Sequence, residues 1–188
     1  MTKVILVRHG QTEWNRDERF RGHADVPLDK TGRAQANATA RRISLQWNPA
    51  VVYAGPLSRT IHTGEPIASA IPSTVQVAND LIDADCGQWQ GLTPDEVNER
   101  WPAEFHSYLH QPGDFQFPGG ELLETARRRA MKCVNTLIEH HRNQTIVLVS
   151  HTALNRLILL SVLGLDSQSF WKIRQGTCAI NVFDSEDN

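Results

Sequence analysis

Two histidines stand just after two apolar segments of the chain, each close to residues that can hold an anion. Arg8 and His9 follow the apolar run 4–7, and His151 comes just after a similar run at 145–149. A guanidinium group offers a charged, planar fork of donors that suits phosphate oxygens, and an imidazole nitrogen can act as a nucleophile or a base. These residue types at matched positions indicate chemistry on a phosphate group.

The elements that must position these residues are strands of a parallel sheet. The runs 4–7, 51–53 and 145–149 are continuously apolar, as strands buried on both faces are. Ligands of open α/β sheets bind at the carboxyl ends of the strands. If the first and last of these runs are neighbours, His9 and His151 should emerge a few ångströms apart.

Helical spacing of apolar residues separates the predicted strands. Thr31 is predicted to be the N-cap of a helix through Ile43, a second helix should run from about Glu121 to His141, and another should stop at Gly164. This alternation predicts an α/β fold, a three-layer α/β/α sandwich with a mostly parallel central sheet. We expect one domain over residues 1–188.

Composition narrows the classes of function. The chain has 188 residues, is 40% hydrophobic and 21% charged, and carries a formal charge of −2 without a block of basic residues. This predicts neither a nucleic-acid nor a membrane partner. No apolar run approaches the roughly 20 residues of a membrane span. Three cysteines without a Cys-x-x-Cys pair favour a reducing, cytoplasmic location.

Five short motifs, in order along the chain, resemble the histidine phosphatase superfamily, which includes the cofactor-dependent phosphoglycerate mutases. They are Arg8-His9-Gly10 with Glu13-Trp14-Asn15, then Leu57-Ser58-Arg59-Thr60, Gly87-Gln88-Trp89-Gln90-Gly91, Pro118-Gly119-Gly120-Glu121 and Val149-Ser150-His151-Thr152. The resemblance implies a phosphoglycerate mutase-like fold. It also implies that His9 attacks phosphorus to form a phosphohistidine, and that the phosphate is bound by Arg8, Asn15, Arg59, protonated His151 and the main-chain N–H of Thr152.

The motifs offer more than one candidate for the proton donor to the leaving oxygen. Members of the family usually place a glutamate four residues before the first glycine of the Gly-x-Trp-x-Gly segment, and Asp83 stands there in this chain. Asp is one methylene shorter than Glu. Asp85 is the neighbouring candidate, and a carboxylate that only balances arginine charge is the third interpretation. We favour Asp83 as the general acid.

Three further features of the sequence each have more than one interpretation: an arginine, a glutamate and a pair of histidines. Arg21 either binds a second anionic group of the ligand or lies in a solvated loop. Glu121 contacts the substrate, ties down its loop, or caps the next helix. His106 and His110 have the spacing of metal ligands, but no third ligand with a recognisable spacing accompanies them, so we expect no metal and no cofactor.

The reaction predicted is metal-independent hydrolysis of a small phosphorylated metabolite. The resemblance implies that mutases carry a longer insertion before the second histidine, whereas this region is short here. Phosphoglycerate mutase-type transfer and a non-catalytic phosphate-binding module are the alternatives.

Four aromatic residues of the loops 16–30 and 105–120 either line the pocket mouth or pack on the core, namely Phe20, Phe105, Tyr108 and Phe117. A predicted edge strand at 178–183 would allow a homodimer.

Overall fold

A central sheet of five strands organises the protein, whose computed structural model describes residues 1–185. The strands are β1 Lys3–Arg8, β2 Val51–Ala54, β3 Val75–Val77, β4 Thr145–Ser150 and β5 Ile180–Asp184, in the order β3-β2-β4-β1-β5. The first four strands are parallel, and β5 pairs antiparallel with β1. β1 and β4 are central neighbours, with Arg8 opposite Ser150.

Seven helices connect these strands in the described part of the chain. They are α1 Glu13–Arg16, α2 Lys30–Gln46, α3 Ser58–Ser69, α4 Pro94–Arg100, α5 Pro102–His110, α6 Leu123–His140 and α7 Thr152–Val162. Short 3₁₀ turns lie at Asn79–Leu81, Gly87–Trp89, Pro112–Asp114 and Ser167–Lys172. None of the helices within residues 1–185 is long and apolar enough to cross a membrane.

The alternation of side chains along the strands divides the core into two halves. Val4 and Leu6 of β1 pack in the half that contains the apolar residues of α6 and α7. Ile5 and Val7 pack in the other half, with those of α2 and α3. Successive strand residues point to opposite faces, so both faces of the sheet are covered by helices. The predicted three-layer α/β/α sandwich is confirmed.

The helix boundaries differ from the sequence expectations where tertiary contacts intervene. Asp29, not Thr31, caps α2, because its carboxylate accepts a hydrogen bond from Gly32 N at 2.7 Å. α6 begins at Leu123 rather than at Glu121, because the backbone at Leu122 still bridges to Gln116.

The end of the last predicted helix and the start of the last predicted strand lie close to their observed positions. The last predicted helix, α7, ends with Gly164 in the left-handed conformation (φ +66°), as predicted. The final strand is an edge strand, as expected, but it starts at Ile180, because Cys178 takes a positive φ in the preceding turn.

Candidate active site

The carboxyl ends of β1 and β4 place His9 and His151 side by side. Their ring centroids are 5.3 Å apart, and both side chains are fully buried. The backbone pairing continues past the strand end, since His9 N donates to Ser150 O at 2.9 Å. The two histidines are therefore held together by the sheet, as the sequence predicted.

The hydrogen bonding of His9 defines its tautomer. Nδ1 lies 2.7 Å from the carbonyl oxygen of Gly10, which can only accept, so Nδ1 carries the proton and Nε2 holds the lone pair. Nε2 is buried and has no hydrogen-bond partner in the described chain. Burial, together with the charges of Arg59 and Arg8, lowers the pKa of His9 well below 6.5. His9 is thus a neutral imidazole with its lone pair on Nε2.

Arg59, which α3 positions, defines the state of His151. Its Nε donates to His151 Nδ1 at 3.3 Å, while its terminal nitrogens donate to the carbonyls of Ala24 (2.6 Å) and Gly22 (2.9 Å). His151 Nδ1 must accept, so Nε2 carries the hydrogen. Burial and the charge of Arg59 lower the pKa of His151 well below 6.5. In the ligand-free protein His151 is neutral, which differs from the protonated form expected from the sequence.

Two more arginines, Arg8 at the end of β1 and Arg21 in the loop before α2, line the cleft. Arg8 donates from Nη1 to Gln175 O at 2.6 Å, while its Nε is buried without a partner. Burial and Arg21 lower the pKa of Arg8 to about 10, so it remains charged at neutral pH. Arg21 donates to the carbonyls of Trp14 and Arg19, and its Nε is also buried without a partner. Arg21 therefore lines the cleft rather than lying in a solvated loop, and its contact with an anionic group stays a prediction.

Asn15 and Thr152 border the cleft from two helix N-termini. Asn15 Oδ1 accepts from both N and Oγ1 of Thr12 at 2.9 Å in the capping box of α1. This contact uses the oxygen of the amide and leaves the nitrogen Nδ2 without a hydrogen bond in the described chain. Thr152 is the first residue of α7, where main-chain N–H groups lack helical partners.

Five buried polar atoms without partners cluster in this region. They are Arg8 Nε, His9 Nε2, Arg21 Nε, His151 Nε2 and Thr152 Oγ1. The sixth such atom in the described chain, Trp89 Nε1, lies among aromatic rings. Buried polar groups are normally satisfied, so a cluster of unsatisfied ones marks a site for a polar ligand. Most of these atoms belong to donors, which favours an anion.

The two candidate carboxylates occupy different environments. Asp83 lines the cleft, and its Oδ2 lies 3.6 Å from Arg59 Nη2 and 3.7 Å from His151 Nδ1. The side chain of Asp85 instead accepts from Gly87 N at 2.9 Å and is not among the cleft-lining residues. Of the two carboxylates, Asp83 alone lines the cleft.

Glu121 is used in the structure of its loop. Its carboxylate forms a bidentate ion pair with Arg129 and accepts from Asp85 N at 3.4 Å. It neither lines the cleft nor caps α6, whose first turn has no side-chain cap. The pair with Arg129 agrees with the alternative that Glu121 ties down its loop, and a contact with substrate stays a prediction.

A sequence profile described as the histidine phosphatase superfamily (branch 1) matches residues 4–188. The chain belongs to the histidine phosphatase superfamily. Phosphoserine phosphatase 1 of Hydrogenobacter thermophilus is 34% identical over 187 residues, which are 100% of this chain and 88% of that protein. The family and its phosphatase-named members confirm the prediction of a phosphatase enzyme.

Solved structures with the histidine phosphatase fold superpose on this protein over nearly its whole length. A phosphoserine phosphatase mutant from Entamoeba histolytica, in complex with phosphoserine, superposes with a TM-score of 0.88 at 28% identity, covering 98% of this chain and 91% of that one. A Bacillus stearothermophilus protein reaches a TM-score of 0.93 at 22% identity, with 99% and 92% covered, which supports the fold. Some relatives are longer, and the chain spans 50% of a bifunctional protein of Mycobacterium tuberculosis.

Beyond its polar end, which Arg8 and Arg21 line, the cleft of this histidine phosphatase is aromatic. It has a volume of about 430 Å³, and its lining includes Phe20, Phe105, Tyr108, Phe117, Phe170 and Trp171. The first four also pack against Trp89, so they line the mouth and stabilise the core at once.

Three charged cleft residues were not predicted from the sequence; two of them, Glu18 and Arg19, lie in the loop before Phe20. Arg156 also lines the cleft. Its spacing of four residues from Thr152, on one helix face, was the available signal. The rings of His106 and His110 are 4.3 Å apart, but no group of three metal-ligating side chains occurs within residues 1–185.

Proposed function

We propose that the protein hydrolyses a phosphate monoester of a small metabolite in two steps, through a phosphohistidine at His9. The observation that carries this proposal is the state of His9. The ring is neutral, Nδ1 is held by the Gly10 carbonyl, and the lone pair on Nε2 is buried beside arginines without a protein partner. A nucleophile held in this way is ready to attack phosphorus.

The phosphate would be bound by arginines and neutral donors. Arg8, Arg21 and Arg59 supply permanent positive charge, which neutralises a dianion without a metal ion. His151 Nε2–H, Asn15 Nδ2 and the main-chain N–H of Thr152 add neutral donors. His9 and His151 are fully buried next to the cleft that Arg8 and Arg21 line, so side chains between the cleft and the histidines must move as the ligand enters.

The carboxyl group of Asp83 can supply and recover the proton that the two steps require. In the first step, His9 Nε2 forms a bond to phosphorus, the ester P–O bond breaks, and Asp83 gives its proton to the leaving oxygen. In the second, water attacks phosphorus, its proton passes to Asp83, and the N–P bond breaks to restore neutral His9. A developing positive charge on the ring is stabilised by the hydrogen bond from Nδ1 to Gly10.

Phosphoserine is the first metabolite to test. Two similar proteins that span most of this chain are phosphoserine phosphatases by name, one of them solved with phosphoserine. The polar end of the cleft takes the phosphate, and the remaining volume accommodates the alcohol part of a small ester.

The deciding experiment compares turnover of p-nitrophenyl phosphate in EDTA by the wild type, His9→Asn and His62→Asn. His62 is an exposed histidine on α3 and serves as the matched control. We expect loss of about 10³-fold or more in His9→Asn alone, with an acid-labile phosphoprotein trapped in the wild type. Equal turnover in all three proteins, or none in the wild type, would exclude the mechanism.

Pairing of two copies along β5 remains a prediction. β5 is an edge of the sheet, and Val182 on it is 40% exposed. Edge strands present unpaired backbone groups to a second chain. Sedimentation equilibrium that gives the monomer mass of 21.1 kDa at micromolar concentrations would contradict it.

A further inference from the structure

Arg156 brings a cation to the wall of the cleft one helical turn away from the phosphate-binding end. It lies four residues after Thr152 on α7, on the same helix face, and both residues line the cleft. At 1.5 Å per residue, their Cα atoms are about 6 Å apart along the helix axis. Helix α7 therefore presents a phosphate donor and a guanidinium group to the same ligand.

The guanidinium of Arg156 is held in place by groups that do not neutralise it. Nε donates to Ile173 O at 2.8 Å, and Cζ lies 4.9 Å from the ring centroid of Phe170 and 4.7 Å from that of Trp171. Stacking on two rings fixes the plane of the group at little cost in entropy. In the described chain, Arg156 forms no ion pair and its terminal nitrogens form no hydrogen bond.

The electrostatic surroundings leave this charge in need of a partner. Arg8 and Arg156 interact unfavourably, since the charge of Arg156 contributes to the lowered pKa of Arg8. Burial also lowers the pKa of Arg156. A phosphate dianion would be bound by Arg8, Arg21 and Arg59. Of the two other arginines that line the cleft, Arg19 is paired with Glu96 at 3.4 Å, so Arg156 is the unpaired cation that would face the alcohol part of the ester.

We propose that Arg156 determines specificity by binding a carboxylate on the alcohol part of the substrate. This inference rests on the proposed function. It makes the preferred substrates phosphate monoesters of small hydroxy acids, in which a short carbon chain separates the carboxylate from the ester oxygen. Arg156 offers two parallel N–H donors to the carboxylate. The rings of Phe170 and Trp171, which form an aromatic wall beside Arg156, exclude water from the pair. An ester without the carboxylate loses this contact and keeps all phosphate contacts.

The test uses two esters that differ only in the carboxylate, phosphoserine and phosphoethanolamine, with p-nitrophenyl phosphate as a third. The proteins are the wild type, Arg156→Gln, Arg156→Lys and Arg128→Gln. Arg128 is an exposed arginine of α6 and provides the control for loss of one charge. The wild type should prefer phosphoserine to phosphoethanolamine in kcat/KM by about 10- to 100-fold, the range expected for a hydrogen-bonded charge.

Arg156→Gln should abolish this preference by raising KM for phosphoserine, with turnover of the other two esters within about twofold of the wild type. Arg156→Lys should restore part of the preference, because it keeps the charge but not the planar fork.

Three results would overturn the inference. If Arg156→Gln slows all three esters equally, Arg156 acts on the phosphate or on the fold. If the wild type does not discriminate between phosphoserine and phosphoethanolamine, or favours aromatic esters alone, the wall binds no carboxylate, while His9-dependent turnover still supports the proposed function. If the wild type hydrolyses no ester, the proposed function fails first.

Discussion

Arg129 and Glu121 form a bidentate ion pair directly beneath the segment that carries Asp83. Nε and Nη2 of Arg129 lie 2.8 and 2.9 Å from the two carboxylate oxygens. The same guanidinium donates to the carbonyls of Asp80 (2.7 Å), Ile82 (2.8 Å) and Asp83 (2.8 Å). Helix α6 therefore sets the backbone position of the carboxylate that we propose as the general acid.

Arg129→Gln should lower both stability and activity. The change removes a half-buried ion pair and leaves three carbonyls with weaker or no partners, so unfolding should become easier by roughly 2–4 kcal/mol. Displacement of Asp83 should lower kcat for alkyl phosphates by about tenfold. Urea denaturation and kinetics measure both effects, with Arg128→Gln on the same helix as control. Unchanged kcat would show that Asp83 is positioned without Arg129.

Asp83→Asn should discriminate between leaving groups. An alkoxide needs a proton to leave, so phosphoserine hydrolysis should fall by about 10² to 10⁴ in kcat. Nitrophenolate leaves without one, so p-nitrophenyl phosphate should lose far less. Asp85→Asn is the matched control, since the amide keeps an oxygen that accepts from Gly87 N. Equal losses for both esters in Asp83→Asn would assign Asp83 to binding rather than to proton transfer.

The stability of the ligand-free protein should fall as pH is lowered from about 7.5 to 5. Burial and the charge of Arg59 lower the folded-state pKa of both His9 and His151 below 6.5, with Arg21 also contributing. Below pH 6.5 the unfolded chain therefore binds more protons than the folded one, and acid favours unfolding. Each histidine contributes up to about 1.4 kcal/mol per pH unit.

The double variant His9→Asn/His151→Asn isolates this contribution. The slope of the unfolding free energy against pH should become flatter by up to about 2.7 kcal/mol per unit relative to the wild type. His62→Asn, which changes an exposed histidine, should keep the wild-type slope. Denaturation with urea at several pH values supplies the slopes, and identical slopes for all three proteins would contradict the neutral state of the buried pair.

Gly10→Ala should displace the loop that holds His9. A Cβ at position 10 would lie 2.6 Å from the carbonyl oxygen of Gly32, which is backbone at the start of α2 and cannot turn away. We expect destabilisation of about 1–3 kcal/mol and a loss of kcat, because Gly10 also accepts from His9 Nδ1. Gly176→Ala is the control, since no atom lies within 4 Å of its added Cβ. Equal stability of the two variants would contradict the close approach.

The sequence by itself determined the layers of the fold and the two histidine positions. Continuous apolar runs identify β1 and β4, and these patterns are local, since alternate residues of one strand must face the two sides of the sheet. Arg8, His9 and His151 follow directly from where these runs end. The periodicity of α6 and α7 is equally local, and only the ends of the helices shifted.

Only the tertiary structure decided which polar side chains serve the site. Asp83 and Asp85 are two residues apart, yet one lines the cleft and the other holds the turn at Gly87. Glu121 is taken by Arg129, which also reaches the carbonyl of Asp83, 46 residues earlier in the chain. Arg156 enters the cleft because aromatic residues from another segment stack on it. Hydrogen-bond partners are selected by distance in space, and sequence spacing constrains that distance only within one element.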